Sequence, residues 1–291
     1  DKTNLLNGIA KSIFLFPNSL EETIMKKIVP VLFSMALTLS FFTGCNNVTE
    51  DTVYDVISNE ASNDTEITAS RGVQTWGLWD SLDYYNTGVF NKANWTNGGM
   101  FNCGWVPENA YFQNGKLVLK LNNRPSHNKP YSSGEYRTNN TFSYGTFETN
   151  MIAAKGDGLV TSFFLYTGSP WDEIDVEILG KDTRKVQFNY YVDGVANNEK
   201  IVDLGFDASQ GYHKYAIEYG NGYINWYVDG KWKWGVNNTG MNAPYGKKMP
   251  SHPMQIMVNL WPGTGVDSWL NHFWYSGEKY AYYDYIKYTP K

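Results

Sequence analysis

Short β-like runs separated by turn signals fill the sequence from about Val73 onward, and they constrain the fold more than any other feature. The candidate strands are GKLVLKL (115–121), GTFETNMIAA (145–154), GLVTSFFLYT (158–167), RKVQFNYYV (184–192), HKYAIEYG (213–220), YINWYVDGKW (223–232), PMQIMVNLW (253–261) and YAYYDYIKYT (280–289). The NG, DG and NNTG stretches between several of them tolerate the positive φ of hairpin turns. Because no long amphipathic helical pattern accompanies these runs, we predict an all-β fold, a jelly-roll sandwich of two antiparallel sheets with a concave cleft.

The composition is rich in aromatic residues and poor in charge. Aromatic residues make up 16% of the chain and charged residues only 18%, with 11 Trp and 22 Tyr. Most of these rings are expected to pack a twisted sheet, but a sugar-binding cleft is another common reason, since the apolar face of a pyranose stacks on an aromatic ring. The net charge of −5 and the absence of a basic patch argue against nucleic acid as a partner.

The amino-terminal part reads as a bacterial export signal. Two lysines after Met25 precede an apolar run over 28–42, which is too short for a comfortable transmembrane helix and predicts a signal peptide over 25–44. The sequence FFTGC resembles a lipobox, so we expect Cys45 to be lipidated; the alternative is an ordinary secreted protein that is cut nearby. Residues 1–24 precede that methionine and are interpreted as an upstream translated segment outside the mature protein.

The remainder divides into a tether and one domain. Residues 45–73 are acidic and rich in Asn, Ser and Thr, which predicts a flexible tether, and 74–291 form the predicted folded domain. With Cys45 lipidated, Cys103 has no partner for an intramolecular disulfide. We expect a secreted monomer on the cell surface or outer membrane of a bacterium, with a lipid anchor as its only membrane contact.

The stretch WDEIDVEILG (171–180) alternates acidic and apolar residues. Its period of two places Glu173, Asp175 and Glu177 on one face of a strand, where their charges repel and Asp is a poor strand former. A solvated face, a cation site and catalysis are the alternatives. Glycoside hydrolysis needs one carboxylic acid and one carboxylate, and the two glutamates, with Cα atoms about 13 Å apart on a flat strand at roughly 3.3 Å per residue, could supply them if their side chains lean together on a concave strand. The aspartate between them could then separate their protonation states.

Longer motifs carry a resemblance to a known family. PWDEIDVEILGKDTRKVQFNYY resembles the catalytic strand and the following strand of glycoside hydrolase family 16, most closely its bacterial endo-β-1,3-1,4-glucanases. Further matches, which cover nearly all of 75–290 in the family's order, are NGGMFNC (97–103), SGEYRT (133–138), SFFLYTG (162–168), LGFDASQGYHKY (204–215) and VNLWPGTGVDSWL (258–270).

The resemblance implies a retaining endo-glucanase that hydrolyses mixed-linkage β-1,3-1,4-glucan and needs no catalytic cofactor. It makes Glu173 the nucleophile, Asp175 the assisting carboxylate and Glu177 the general acid/base. The residues implied to line the glucan cleft are Asn97, Glu135, Arg137, Phe164, Tyr166, Trp171, Asn189, Tyr191, Asn259 and Trp261. It also implies a structural calcium ion, bound by Asp284 and by backbone oxygens of Gly115 and of a residue near Ser81.

Two other functions stay open at this point. One is a xyloglucan-active hydrolase or transglycosylase of the same family, which shares the E-x-D-x-E strand. The other is a non-catalytic glycan-binding lipoprotein, although a pure binding module needs no row of carboxylates. An aromatic, lysine-rich insertion over 231–253 departs from the family pattern and bears on the outer subsites of the cleft.

Overall fold

The computed structural model describes residues 72–196, 198–239 and 248–291. The upstream segment 1–24, the predicted signal peptide 25–44, Cys45 and the tether as far as Arg71 lie outside the described residues. Within the described part of the chain, no helix is long and apolar enough to span a membrane.

Strands form almost all of the regular structure. They are β1 (Val73–Gln74), β2 (Leu78–Asp80), β3 (Phe90–Lys92), β4 (Cys103–Trp105), β5 (Ala110–Phe112), β6 (Leu117–Leu121), β7 (Tyr131–Ser133), β8 (Glu135–Thr138), β9 (Thr141–Phe142), β10 (Gly145–Ile152), β11 (Leu159–Tyr166), β12 (Glu173–Leu179), β13 (Lys185–Tyr191), β14 (Lys200–Asp203), β15 (His213–Gly220), β16 (Tyr223–Val228), β17 (Lys231–Asn237), β18 (Gln255–Pro262) and β19 (Lys279–Pro290). The helical pieces among the described residues are α1 (Asp267–Leu270) and the 3₁₀ turns Pro107–Asn109 and Gly180–Asp182.

Two large antiparallel sheets make up the sandwich. The front sheet has the strand order β14-β13-β12-β11-β18-β8-β3. The back sheet has the order β17-β16-β15-β10-β19-β6-β5, and β2 pairs with β19. The small pairs β1-β9 and β4-β7 are parallel. The prediction of an all-β sandwich of two antiparallel sheets is confirmed.

Alternation of side chains along β12 decides which face meets the core. Ile174, Val176 and Ile178 are fully buried in the main hydrophobic cluster. Because successive side chains of a strand point to opposite faces, the three carboxylates project from the outer face of the front sheet. Burial of the isoleucines and the valine therefore fixes the direction in which the acidic side chains point.

Contacts between the sheets hold the acidic strand from behind. Trp226 on β16 stacks on Phe188 of β13 with ring centroids 5.5 Å apart. Its indole N–H also donates to the backbone carbonyl of Asp175 over 3.0 Å. On β19, the hydroxyl of Tyr283 donates to the carbonyl of Ser162 over 2.8 Å. The backbone under the acidic row is thus hydrogen-bonded to the opposite sheet.

Replacing Trp226 should reveal how much this support contributes. Trp226→Ala should lower the free energy of unfolding by about 3–5 kcal/mol, as expected for a large aromatic side chain removed from a core. Trp226→Phe, which removes the indole donor but keeps a ring, should cost about 1–3 kcal/mol. Urea unfolding measures both, with Trp79→Ala as the control, because that side chain is 62% exposed. Equal losses for the core and exposed tryptophans would contradict this account.

Candidate active site

The three carboxylates of β12 lie in adjacent rows that run across the front sheet. Glu173 lies between Tyr166 and Tyr191, Asp175 between Phe164 and Asn189, and Glu177 between Ser162 and Gln187. The rows continue across β18 onto β8. Ser162 pairs with Asn259, which pairs with Glu135. Phe164 pairs with Met257, which pairs with Arg137. The register therefore brings most of the predicted cleft residues to the same face as the carboxylates.

Trp171 closes the Glu173 end of the site. Its ring stacks on Tyr191 with centroids 4.9 Å apart and planes 12° apart, and the side chain is 43% exposed. Its indole N–H donates to Glu173 Oε2 over 2.6 Å. One tryptophan thus offers a ring for stacking and holds a carboxylate in position.

Gln187 holds the carboxyl group at the other end of the row. Its amide nitrogen donates to Glu177 Oε2 over 2.7 Å. Its amide oxygen accepts the indole N–H of Trp269, from α1, over 3.0 Å. The indole therefore orients the amide so that its N–H group, and not its oxygen, faces the glutamate.

Burial raises the affinity of both glutamates for a proton, and the hydrogen bonds that they accept oppose this effect. Loss of hydration raises the pKa of Glu173 to about 7, while hydrogen bonds from Trp171 and Asp175 act in the opposite direction. Loss of hydration and the charge of Glu173 raise the pKa of Glu177 to about 8, against one hydrogen bond from Gln187. The pKa of Asp175 is also raised by burial and by the two glutamate charges, so this residue donates a hydrogen bond to Glu173.

A buried polar pair extends the site toward β8. Asn259 donates to Glu135 Oε2 over 3.1 Å, and burial raises the pKa of this glutamate to about 7. Glu135 Oε1 and Asn259 Oδ1 are buried and have no hydrogen-bond partner among the described residues. Buried polar atoms without partners are costly, so these two oxygens are suited to accept hydrogen bonds from ligand hydroxyls.

Arg137 lies at the edge of this surface. Its guanidinium group stacks over Trp95 at 4.0 Å from the ring centroid, and its Nε donates to Asn91 Oδ1 over 3.1 Å. These contacts fix the plane of the guanidinium group beside the outer face of β8. Neither Trp95 nor Asn91 was predicted as a site residue from the sequence.

Three predicted cleft residues differ from the rest in burial or in position. Trp261 is 2% exposed and packs against Phe101, with ring centroids 4.6 Å apart, so it supports the end wall of the site. Phe164 is only 7% exposed, although it pairs with Asp175 and lies in the middle row. Asn97 is exposed in the loop between β3 and β4, and the end of this loop bonds to the end of β18 through Asn102 and Pro262.

A face with two glutamates, flanking aromatic rings and amide groups can be compared with known proteins. The model of Glycosyl hydrolases family 16 matches residues 97–286. The chain belongs to this family. The family predicted from the sequence motifs is thereby confirmed.

Several relatives are similar over most of the chain. A beta-glucanase of Paenibacillus polymyxa is 49% identical over 218 residues, which is 73% of this chain and 87% of the relative. A beta-glucanase of Bacillus subtilis (strain 168) is 46% identical over 232 residues, 77% of this chain and 91% of the relative.

Solved structures of family 16 enzymes share the fold. A Bacillus licheniformis beta-glucanase is 45% identical to this chain and aligns with a TM-score of 0.69. The alignment covers 75% of this chain and 100% of the beta-glucanase chain. A prokaryotic beta-1,3-1,4-glucanase (lichenase) derived from a mouse hindgut metagenome is 43% identical and aligns with a TM-score of 0.69. The alignment covers 74% of this chain and 100% of the lichenase chain. A Thermotoga maritima laminarinase at 20% identity shares the fold alone.

Besides Trp95 and Asn91, the sequence analysis missed two residues at the Glu177 end of the site of this family 16 chain. Gln187 occupies the next alternating position of β13 before Asn189 and Tyr191, so the same period of two could have identified it. Trp269 comes from α1 and meets Gln187 only through the fold, and no local pattern indicates this contact.

The two described parts of the insertion over 231–253, residues 231–239 and 248–253, have separate environments. Its first part is β17, an edge strand of the back sheet. Its last part contacts the loop before β12, where the carboxylate of Asp172 accepts the backbone N–H of Ser251 over 2.9 Å and meets His252 Nδ1 at 2.7 Å. This last part lies next to the Trp171 side of the site.

Of the predicted calcium residues, Asp284 lies on β19 of the back sheet, Gly115 in the turn between β5 and β6, and Ser81 directly after β2. Asp284 forms an ion pair with Lys116 through Oδ1, and Asn150 donates to its Oδ2 over 2.9 Å. Ser81 donates instead to Asp83, over 2.6 Å. The described residues contain no cluster of three or more His, Cys, Asp or Glu side chains suited to a metal. In this arrangement a calcium ion fits at Asp284 only if the lysine ammonium moves away.

Removing the amide beside Glu177, the predicted general acid, should move the pH profile in a defined direction. The Gln187 hydrogen bond favours the carboxylate of Glu177, so Gln187→Leu should raise the pKa of that glutamate. The alkaline limb of kcat/KM, which reports loss of the proton from the acid, should then shift to higher pH. The exposed Gln210→Leu serves as control. An alkaline limb that stays in place or shifts to lower pH would refute this role.

Proposed function

We propose that this chain is a retaining endo-glucanase that hydrolyses mixed-linkage β-1,3-1,4-glucan by double displacement. The observation that carries the proposal is geometric: Glu173 and Glu177 project from one face of β12, and each is held in place by its own hydrogen bond, from Trp171 and from Gln187 respectively. The relatives named beta-glucanase and the lichenase structure support the substrate class.

The first displacement uses the two glutamates in different protonation states. Glu177 donates its proton to the glycosidic oxygen while the carboxylate of Glu173 attacks the anomeric carbon. The bond to the leaving sugar breaks, and the remaining glycosyl group is held as an ester on Glu173. Asp175 and the indole of Trp171 donate hydrogen bonds that keep the nucleophile ionised and in place.

The second displacement restores the enzyme. Glu177, now a carboxylate, takes a proton from a water molecule whose oxygen attacks the anomeric carbon. The ester bond to Glu173 breaks, and the product keeps the β configuration. No metal or organic cofactor takes part in either step.

Substrate contacts come from the rows beside the acidic strand. Trp171, Tyr166 and Tyr191 supply ring surface on the Glu173 side. The buried oxygens of Glu135 and Asn259 accept hydrogen bonds from sugar hydroxyls on the far side. Asn97, Arg137, Phe164, Asn189 and Trp261 complete the assignment of cleft residues as part of this proposal.

A substrate panel tests the proposed activity. Barley β-glucan should be cut faster than laminarin, xyloglucan or carboxymethylcellulose by at least about ten-fold, a difference of about 1.4 kcal/mol in transition-state binding. Reducing-sugar release measures each rate, with Glu173→Gln as the inactive control. Faster cleavage of xyloglucan would favour the rival activity in the same family, and binding without cleavage of any glucan would leave only a glycan-binding lipoprotein.

A structural calcium ion at Asp284 is a separate part of the proposal. Calcium would replace the ammonium of Lys116 on the carboxylate, with backbone oxygens of Gly115 and Ser81 as the expected further ligands. Chelator should then lower the melting temperature of the wild type but not that of Asp284→Asn. Lys116→Met should increase the rise in melting temperature that calcium produces. Identical melting curves with chelator and with calcium would rule out the ion.

The catalytic domain 74–291 is proposed to be exported and tethered to the membrane through residues 45–73. Lipidation of Cys45 would anchor an otherwise secreted monomer at the cell surface. The wild type should then partition into detergent and Cys45→Ala into the aqueous phase. Aqueous wild-type protein with an amino terminus at another residue would disprove the anchor.

A further inference from the structure

An ordered aromatic and polar surface lies on the outer face of the back sheet, and the proposed mechanism does not use it. We call it the back platform. It consists of Glu218 on β15, Tyr223, Asn225 and Tyr227 on β16, and Trp232 on β17. Cross-strand pairing aligns Glu218 with Asn225 and Tyr227 with Trp232, which puts these side chains on one face.

A hydrogen-bond network centred on a carboxylate fixes the platform. Glu218 accepts from the hydroxyl of Tyr223 over 3.0 Å, from that of Tyr227 over 2.9 Å and from the amide of Asn225 over 3.2 Å. Asn225 Oδ1 accepts the indole N–H of Trp232 over 3.1 Å. The side chains are therefore ordered before any ligand arrives, which reduces the entropy lost on binding.

A glycine allows the indole to lie on the sheet. Gly235 pairs with Asn225, and a Cβ atom built on it would lie 2.3 Å from Asn225 Oδ1 and 3.3 Å from Trp232 Nε1. A larger residue would push both groups away from the strand. Trp232 is 54% exposed in this position, so ring surface stays open to solvent.

The platform and the active site lie on opposite sides of the molecule. The buried partners of the platform are Trp226 and Trp234, which stack at 4.8 Å between the sheets. The carboxylates of β12 project from the outer face of the front sheet, with the core between the two surfaces. A ligand on the platform is thus separate from the glucan in the cleft.

We propose that the back platform is a second binding site for a β-glucan chain, an inference that rests on the function proposed above. The exposed indole stacks on the apolar face of a pyranose. The ammonium group of Lys291 already pairs with Glu218 and lies over the ring of Tyr223, so the polar contact to the sugar comes from the hydroxyl of Tyr227, which donates to Glu218 and can still accept from a sugar hydroxyl. A site on the back of the enzyme holds it on the polymer and raises the local concentration of chain near the cleft.

Binding to insoluble mixed-linkage β-glucan tests the platform. Glu173→Gln serves as the parent, so that the polymer is bound and not cut. Adding Trp232→Ala should weaken binding about five-fold, the effect of losing one aromatic contact. Trp232→Phe should recover part of the affinity. Trp76→Ala is the matched control, since that tryptophan is 66% exposed and lies outside the platform.

A cleft variant separates this inference from the proposed function. Trp171→Ala should weaken binding by itself, and its combination with Trp232→Ala should weaken binding more than either change alone, as two distinct sites require. If Trp171→Ala weakens binding and Trp232→Ala does not, or if Trp76→Ala has the same effect as Trp232→Ala, the platform is refuted while the proposed function stands. If the parent does not bind β-glucan and the wild type does not cut it, the proposed glucanase function is refuted, and with it the platform inference that rests on it.

Discussion

Three carboxyl groups share one face of β12, where burial disfavours the charge that the proposed mechanism requires on one of them. Hydrogen bonds from neighbouring side chains stabilise the charged form of each glutamate separately. Trp171 and Asp175 donate to Glu173 and lower its affinity for a proton, whereas Glu177 receives one amide hydrogen bond. The row can therefore hold a carboxylate and a carboxylic acid two alternating positions apart.

The arrangement has a cost in stability that depends on pH. The folded-state pKa values of about 7 for Glu173 and about 8 for Glu177 lie above the ordinary value of 4.5. Between pH 4.5 and about 8 the folded protein therefore binds more protons than the unfolded chain. Its stability falls as pH rises through this range to about 8. The inter-sheet hydrogen bond from Trp226 and the isoleucines behind the strand offset this loss.

Local patterns predicted the parts of the site that lie along single strands. The period of two in β12 identified the carboxylates and the core residues between them, and the same period in β13 leads to Gln187. The order of the strands could not be predicted in this way, because β10 pairs with β15 and β19, which lie far away in the sequence. The contacts of Trp269 and Trp226 depend on that order and are visible only in the structure.

The assignment of separate roles to the two glutamates is the central claim, and product stereochemistry with azide tests it most directly. Glu173→Ala leaves the acid and a hole beside the anomeric carbon, so azide should attack there and give an α-glycosyl azide. Glu177→Ala leaves the nucleophile, so an activated aryl glycoside should still form the glycosyl-enzyme, and azide should give the β-glycosyl product. Proton NMR distinguishes the anomers. The same anomer from both variants, or an α product from Asp175→Ala, would contradict the assignment.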